Sequence, residues 1–282
     1  MPVLSLNRLN ILVAYPYAKP KVIEEISKIG EKGRFVLDSG AFTAWKAGKE
    51  IKLDDYCKFI ESLPFEPWRY FTLDVIGDPH KSMENYQTML TRGFKPVPIF
   101  TRGEHPSVID DYYKTSDVVG IGGLVGTIGN KSFVNGIMKK VGSRKVHWLG
   151  FSSTDYVAHY KPYMCDSSSW SSAFRFASAK IYAGRGKWIP FTKKTMAAQP
   201  KKELTNLILE HGVSPARLAK NSEWSNGNRE IEFAIETLAH RTWVKYQQDV
   251  EKNLGTKMFL ACSTDGQVRL MHRAFNYWSE KK

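Results

Sequence analysis

The feature that most constrains the fold is an alternation of short apolar runs with stretches of helical spacing over the first two-thirds of the chain. Most of these runs are rich in Val, Ile, Leu and aromatic residues, which is typical of buried parallel strands. The runs are Ile11–Tyr15, Phe35–Leu37, Tyr70–Leu73, Pro96–Phe100, Val118–Ile121, Val146–Leu149, Tyr163–Cys165 and Lys180–Tyr182. Helices are expected between them, among others over Lys19–Ile29, Leu53–Ser62, His80–Arg92 and Lys131–Val141.

Eight such runs predict an α/β fold that closes into a TIM-type (β/α)8 barrel. An open doubly wound sheet is the alternative, although no Gly-x-Gly-x-x-Gly follows the first run. We assign residues 1–184 to a barrel catalytic core and residues 185–282 to a basic, mostly helical C-terminal extension packed on it. In the extension we expect helices over Pro200–Glu210 and Asn228–Glu251. We also expect a small hairpin of Phe259–Ser263 and Gln267–Leu270 around Asp265-Gly266.

The charge balance is basic, because 41 Lys and Arg stand against 28 Asp and Glu, a formal net charge of +13. A basic protein attracts polyanions, so nucleic acid is a candidate partner, and a merely soluble basic surface is the alternative. The widely spaced Cys57, Cys165 and Cys262 predict neither a disulfide framework nor a Cys-x-x-Cys metal site. With no signal-peptide-like start and no run long enough to cross a bilayer, we expect a cytoplasmic protein without membrane contact.

Polar residues follow the apolar runs at the ends where a TIM barrel carries its catalytic groups. Asp38, Asp74 and Asp166 close the second, third and seventh runs, and we expect them to converge on one pocket. Convergent carboxylates bind metal, transfer protons or attack an electrophilic carbon. The alternative is that each Asp caps the helix that follows it. The glycines Gly122 and Gly123 either let a flat ligand approach the backbone or serve a tight turn.

Five segments occur in an order that resembles the tRNA-guanine transglycosylase family: FVLDSGAF, TLDVIGDP, VGIGGLVG, VHWLGFSS and YMCDSSSW. DSGAF is similar to the D-S-G-G-F signature of that family, with Ala41 in place of a glycine, and GIGGL is similar to its G-G-L segment. The resemblance covers about half the chain. It implies that Asp166 attacks C1′ of the target nucleotide, that Asp38 moves the purine proton, and that Asp74 accepts hydrogen bonds from the guanine edge.

The same resemblance implies further contacts to the base. Ser39 of the signature and the backbone of Gly122 and Gly123 are assigned to substrate binding. Phe42 or Trp170 is expected to stack on the base or to wall it off, and the base must leave its helix to be reached. Ordinary core packing is the alternative for both aromatic residues.

Two departures distinguish the chain from the tRNA enzymes. Their zinc motif, Cys-x-Cys-x-x-Cys with a later His, is absent, so neither a metal nor a cofactor is expected. Their strand-four Gln-Gly reads Thr-Arg-Gly here, which places Arg102 near the position of the glutamine. Arg102 is assigned to substrate binding, through the guanine O6 or a phosphate, and an ion pair with Glu104 is the alternative.

LDSGAFTAW and CDSSSW are more similar to the DNA-modifying transglycosylases of phages and bacterial genomic islands. That branch implies DNA as the partner and a 7-deazaguanine, such as 7-cyano-7-deazaguanine, as the incoming base. If the chain is phage-encoded, it would act in the host cytoplasm. A tRNA-guanine transglycosylase, a hydrolytic base-excision glycosylase and a non-catalytic DNA-binding barrel are the alternatives.

A polyanion also requires a basic rim around the pocket. The segment from Arg185 to Lys194 interleaves charge with Trp188 and Phe191, which suits phosphate contact and base stacking. A solvated loop with two core anchors is the alternative. The residues assigned to nucleic-acid binding are Lys46, Arg175, Arg185, Lys187, Trp188, Lys193 and Lys194, with Lys49 as a further candidate.

Overall fold

The computed structural model describes residues 8–124, 131–198, 200–224 and 232–281. Within these ranges, eight parallel strands form a main sheet and two further strands form an antiparallel hairpin. The strands of the main sheet are β1 (Leu9–Ala14), β2 (Gly33–Asp38), β3 (Arg69–Tyr70), β4 (Ile99–Phe100), β5 (Val118–Ile121), β6 (Lys145–Trp148), β7 (Met164–Ser167) and β10 (Lys257–Cys262). The hairpin consists of β8 (Ser178–Tyr182) and β9 (Trp188–Thr192).

The main sheet has the strand order β3-β2-β1-β10-β7-β6-β5-β4 and is curled. Its two outer strands approach each other at one parallel bridge between Phe71 and Val97. There the Val97 N–H donates to the Tyr70 carbonyl at 2.8 Å, and the Thr72 N–H donates to the Val97 carbonyl at 3.0 Å. The predicted α/β class is therefore confirmed, but among the described residues no continuous ladder joins β3 to β4 and closes the sheet.

The eighth parallel strand is β10, so the prediction of Lys180–Tyr182 for this position is wrong. Lys180–Tyr182 lies in β8 and pairs antiparallel with β9. β10 instead lies between β1 and β7, with Leu260 opposite Ile11 and Phe259 opposite Asp166. The main sheet thus takes a strand from beyond residue 184, the boundary that we set for the barrel core.

Helices connect the strands and continue through the C-terminal part of the chain. Leu53–Ser62 and Lys131–Val141 form helices with the predicted bounds. The helices are α1 (Pro20–Ser27), α2 (Ala41–Lys46), α3 (Leu53–Ser62), α4 (Pro79–Thr91), α5 (Val108–Tyr112), α6 (Lys131–Val141), α7 (Thr154–Tyr160), α8 (Ser172–Arg175), α9 (Lys193–Ala197), α10 (Lys202–Glu210), α11 (Pro215–Leu218), α12 (Ala234–Leu254) and α13 (Asp265–Glu280).

The predicted hairpin around Asp265-Gly266 is wrong, because these residues begin α13. The hydroxyl of Thr264 accepts a hydrogen bond from the Gln267 N–H at 3.3 Å and caps the helix. The long helix expected over Asn228–Glu251 is α12, and Asn228 itself lies outside the described residues. In the part of the chain that the structure describes, none of these helices is long and apolar enough to cross a membrane.

The concave side of the main sheet is filled by apolar side chains from seven of its strands or their immediate extensions. Successive residues of a strand face opposite sides, so residues two apart share a side. Val36 and Met164 belong to this interior cluster, which puts Asp38 and Asp166 on the same side, nearer the carboxyl ends of their strands. The cluster comprises Leu12, Val36, Phe71, Val97, Ile99, Val118, Met164 and Phe259.

Helix α12 links β10 and β1 near the amino ends of the strands, through hydrogen bonds of Gln247 to both. The fully buried Gln247 amide donates to the Asn10 carbonyl at 2.8 Å and to the Met258 carbonyl at 2.9 Å. The Gln247 side-chain oxygen also accepts from the Asn10 N–H at 3.3 Å. A buried amide that spans two strands in this way stabilises their adjacency, because removing it would leave buried backbone groups unpaired.

Candidate active site

The three aspartates predicted to converge do so at the carboxyl edge of the main sheet. Asp38 ends β2, Asp74 follows β3, and Asp166 lies in β7. Burial, followed by the negative charges of Asp74 and Asp166, raises the pKa of Asp38 to about 7. Hydrogen bonds from the backbone N–H groups of Gly40, at 3.0 Å, and Ser39 oppose this rise. A carboxyl group that titrates near neutral pH suits proton transfer in both directions.

Asp166 is buried and is held through one of its two oxygens. Its Oδ1 accepts a hydrogen bond from the Gly150 N–H at 2.8 Å and lies 3.0 Å from Nε2 of His147. Neither group contacts Oδ2, and that oxygen has no hydrogen-bond partner within the described ranges. The arrangement fixes the carboxyl group while leaving one oxygen available for a substrate.

Asp74 is supported by the residue after Asp38. The Ser39 hydroxyl donates to Oδ1 of Asp74 at 2.9 Å, and burial raises the Asp74 pKa. Because Ser39 is only 1% exposed, its predicted role in substrate binding is corrected to the positioning of Asp74. Tyr56 lies near both aspartates. Burial raises its pKa most, and the negative charges of Asp38 and Asp74 raise it further. The Tyr56 hydroxyl donates to the Phe71 carbonyl at 2.8 Å.

The glycine segment after β5 is partly engaged in the sheet. The Gly122 N–H donates to the Phe100 carbonyl at 2.8 Å, so this N–H is not available to bond a base, contrary to its predicted use. Gly123 is exposed and has a φ of +68°. A Cβ at Gly123 would lie 2.9 Å from Cβ of Arg102, so the close approach of the two loops requires glycine here.

Arg102 extends from the loop after β4 and is exposed. Its guanidinium lies over the Phe133 ring, 5.3 Å from the ring centroid. Glu104 instead accepts hydrogen bonds from the Thr101 hydroxyl at 2.9 Å and the Tyr112 hydroxyl at 3.3 Å. The alternative of an Arg102–Glu104 ion pair is therefore not observed among the described residues.

The two candidate stacking residues differ in accessibility. Trp170 is 1% exposed and its indole N–H donates to the Ala261 carbonyl at 3.0 Å, so it packs in the core, which is the alternative that the sequence left open. Phe42 is 54% exposed on α2 and stacks on Trp45, which is 56% exposed, at a centroid distance of 5.9 Å. Trp45 did not stand out in the sequence, although its spacing from Phe42 fits one helix face.

The predicted basic rim is only partly available to a polyanion. Lys46 is exposed, with Nζ 4.4 Å from the Phe42 ring centroid, and Lys49 is also exposed. Trp188 packs against Trp243 and Tyr246, and Phe191 is buried, so these aromatics are core anchors rather than a stacking surface. Of the other basic residues assigned to nucleic-acid binding, Arg185 and Lys194 are exposed and Lys193 is half-buried. Lys187 forms an ion pair with Glu203 at 2.7 Å. The side chain of Arg175 lies outside the described part of the structure.

Sequence reasoning missed His147, which is fully buried in β6. It stands inside the apolar run Val146–Leu149, where a histidine is easily mistaken for a core residue. Its ring packs against Phe71 at a centroid distance of 4.8 Å, next to the Asp166 carboxyl. The strand register that brings it there is set by pairing with Met164 and is not visible in the local sequence.

No protein-family model matches this chain, and neither the curated proteins nor the solved structures compared with it contain a match. Among the described residues, no group of three or more His, Cys, Asp or Glu side chains is arranged to hold a metal ion.

The raised pKa of Asp38 makes stability depend on pH in a defined direction. The folded state binds the Asp38 proton with a pKa of about 7, whereas an unfolded Asp titrates at about 3.9. The protonated group therefore contributes stability that is present below pH 4 and is lost as the pH rises through 7. The quantity to compare is the free energy of unfolding of Asp38→Asn minus that of wild type, taken at each pH. We expect this difference to be about 2 kcal/mol larger at pH 8 than at pH 5.

Urea unfolding of both proteins at pH 5 and pH 8 measures this difference. Asp111→Asn is the matched control, since Asp111 is exposed and pairs with the exposed Lys114. A stability difference between Asp38→Asn and wild type that does not change with pH would show that Asp38 ionises normally in the folded protein.

Proposed function

We propose that this protein is a guanine transglycosylase of the tRNA-guanine transglycosylase-like superfamily, and that it exchanges guanine in DNA for a 7-deazaguanine. The curled parallel sheet serves in this proposal as a TIM-type (β/α)8 barrel with its site at the carboxyl ends of the strands. The observation that carries the proposal is the presence of two different carboxyl groups in one site. Asp166 is fixed by hydrogen bonds through one oxygen, and Asp38 has a pKa of about 7. The DNA preference rests on the sequence resemblance alone.

The first half of the exchange uses both groups. Oδ2 of Asp166 attacks C1′ of the target nucleotide and the C1′–N9 bond breaks, so its electron pair goes to guanine. Guanine takes a proton from the neutral Asp38 and leaves, and the sugar is then held as an ester of Asp166. Asp74 accepts hydrogen bonds from the N1–H and N2 amino edge of the base.

The second half reverses these steps with a different base. The incoming 7-deazaguanine gives its N9 proton to the ionised Asp38, and N9 attacks C1′ while the Asp166 ester bond breaks. Asp38 is neutral again and Asp166 is again a carboxylate, so no proton or electron is gained or lost over the cycle. Phe42 and Trp45, both more than half exposed, offer flat faces for nucleobases at the rim of the site.

Mass spectrometry of nucleosides tests the proposal directly. The protein is incubated with double-stranded DNA, single-stranded DNA or tRNA, each with 7-cyano-7-deazaguanine or a related 7-deazaguanine. We expect a 2′-deoxy-7-deazaguanosine nucleoside in the DNA and an equal amount of released guanine. The same product confined to tRNA would assign the tRNA reaction, abasic sites without inserted base would assign hydrolysis, and binding without turnover would assign a DNA-binding barrel.

A further inference from the structure

The buried pair of His147 and Asp166 carries an inference about how the attacking oxygen is chosen. His147 lies in β6 and Asp166 in the neighbouring strand β7, and Nε2 of the ring is 3.0 Å from Oδ1 of the carboxyl. The His147 side chain is completely buried, while the Asp166 side chain keeps 12% exposure. One side of the Asp166 carboxyl group is thus accessible to a ligand in the site, and the other side contacts the His147 imidazole.

The other ring nitrogen decides the protonation of His147. Nδ1 is buried and has no hydrogen-bond partner among the described residues. A proton on Nδ1, in either the imidazolium or the Nδ1–H tautomer, would leave a buried N–H unpaired at a cost of about 1–3 kcal/mol. The neutral ring with its proton on Nε2 leaves no N–H unpaired, and that ring donates to Oδ1 of Asp166.

Two aromatic rings pack against the imidazole. Phe71 packs at 4.8 Å and Phe259 at 6.5 Å between centroids. Gly120 lies opposite His147 in β5, and a Cβ there would meet the Phe71 ring at 3.2 Å and Leu149 at 3.0 Å. The glycine therefore gives Phe71 the room to pack on the imidazole, which keeps Nε2 directed at the carboxyl.

We propose that His147 is a positioning residue, which as a neutral Nε2–H donor holds Oδ1 of Asp166 together with the Gly150 N–H and so commits Oδ2 to the attack on C1′. Two donors on one oxygen fix the plane of the carboxyl and leave the lone pairs of the other oxygen for the reacting carbon. The kinetic role rests on the proposed transglycosylase function, whereas the tautomer does not.

Nitrogen-15 NMR of the histidine rings tests the tautomer without any substrate. His211 and His240 are internal controls, because each is buried and lies within hydrogen-bond distance of a backbone carbonyl through Nδ1, at 2.8 Å and 2.6 Å. At pH 7.5 we expect the Nε2–H tautomer for His147 and the Nδ1–H tautomer for His211 and His240. The signal that disappears in His147→Phe identifies the residue, and an Nδ1–H or doubly protonated His147 would overturn the inference.

Base-exchange kinetics test the role with two variants. His147→Phe keeps a ring but removes the donor, and we expect kcat to fall about 10²-fold with KM for DNA changed by less than about 3-fold. His147→Gln restores an N–H donor and should recover at least about 10-fold of that loss, which a purely structural defect would not. Wild-type kcat in His147→Phe would refute the positioning role and leave the transglycosylase intact. If wild-type protein exchanges no base, the proposed function fails, and the NMR result still decides the tautomer.

Discussion

Asp166→Asn is expected to abolish base exchange, with a loss of at least about 10⁴-fold in rate, and to remove any covalent adduct with guanine-containing DNA. The amide has nearly the shape of the carboxyl group, and its oxygen can still accept from Gly150 and His147, so the fold should persist. In the proposed mechanism, the substitution removes the nucleophile. Labelled-guanine exchange measures the rate, and a denaturing gel with labelled DNA detects the adduct.

Two comparison variants make this result specific. Asp111→Asn, on the surface of α5, should exchange at the wild-type rate. Asp38→Asn should slow both halves of the proposed reaction, since Asp38 gives a proton to the leaving guanine and takes one from the incoming base. An Asp166→Asn protein that is stably folded and exchanges guanine at the wild-type rate would refute the assignment of Asp166 as nucleophile.

Gly40→Ala is expected to destabilise the protein by about 3–5 kcal/mol, one of the largest effects of a single methyl group in this chain. Gly40 has a φ of +76°, and a Cβ there would lie 2.2 Å from Cδ of Pro16, which is rigid. The same substitution should displace the Gly40 N–H, which donates to Asp38 at 3.0 Å. Denaturant unfolding measures the first effect, and the base-exchange rate measures the second.

Gly48→Ala separates the steric contact from the backbone conformation. Gly48 has a similar φ of +63°, but nothing lies within 4 Å of the position of a Cβ. We expect it to cost only about 1 kcal/mol, the usual penalty for Ala at positive φ. Equal costs at the two positions would mean that the Pro16 contact relaxes and that Gly40 is required for its φ alone.

The adjacent position, residue 41, differs from Gly40 in its tolerance of a methyl group. Ala41 is the first residue of α2, is buried, and is not among the residues with positive φ. A methyl group is therefore accommodated at residue 41 but not at residue 40. Glycine at residue 40 is therefore a requirement of the fold, whereas glycine at residue 41 is not.

The sequence predicts the first seven strands of the main sheet but not the eighth. Lys180–Tyr182 and Lys257–Cys262 are both short runs that contain β-compatible apolar residues, and local pattern alone does not tell which one enters the parallel sheet. The choice depends on long-range contacts such as those of Gln247 with Asn10 and Met258. The Asp-Gly hairpin signal failed for a related reason, because the Thr264 cap and the apolar face of α13 stabilise a helix there.

In the site, the three aspartates were predictable because each follows an apolar run and carboxyl ends of parallel strands meet at one edge. The functions of their neighbours were not, since these depend on side-chain contacts. Ser39 and Trp170 proved to be buried supports, while Trp45 proved to be exposed. His147 was missed because a buried histidine and a carboxyl on the next strand meet only once the β6–β7 register is known.

The position of β10 has a consequence for how this protein is made in the cell. The strand lies between β1 and β7, yet it follows β1 by more than two hundred residues, as the hydrogen bond between Asn10 and Gln247 already spans 237 positions. During synthesis, β1 and β7 therefore carry unpaired edges until β10 has also emerged from the ribosome. Such edges are open to wrong pairing and aggregation, and non-local pairing of this kind slows folding. Nascent chains that end before Lys257 should accordingly depend on chaperones, whereas chains extended past α13 should be released from them.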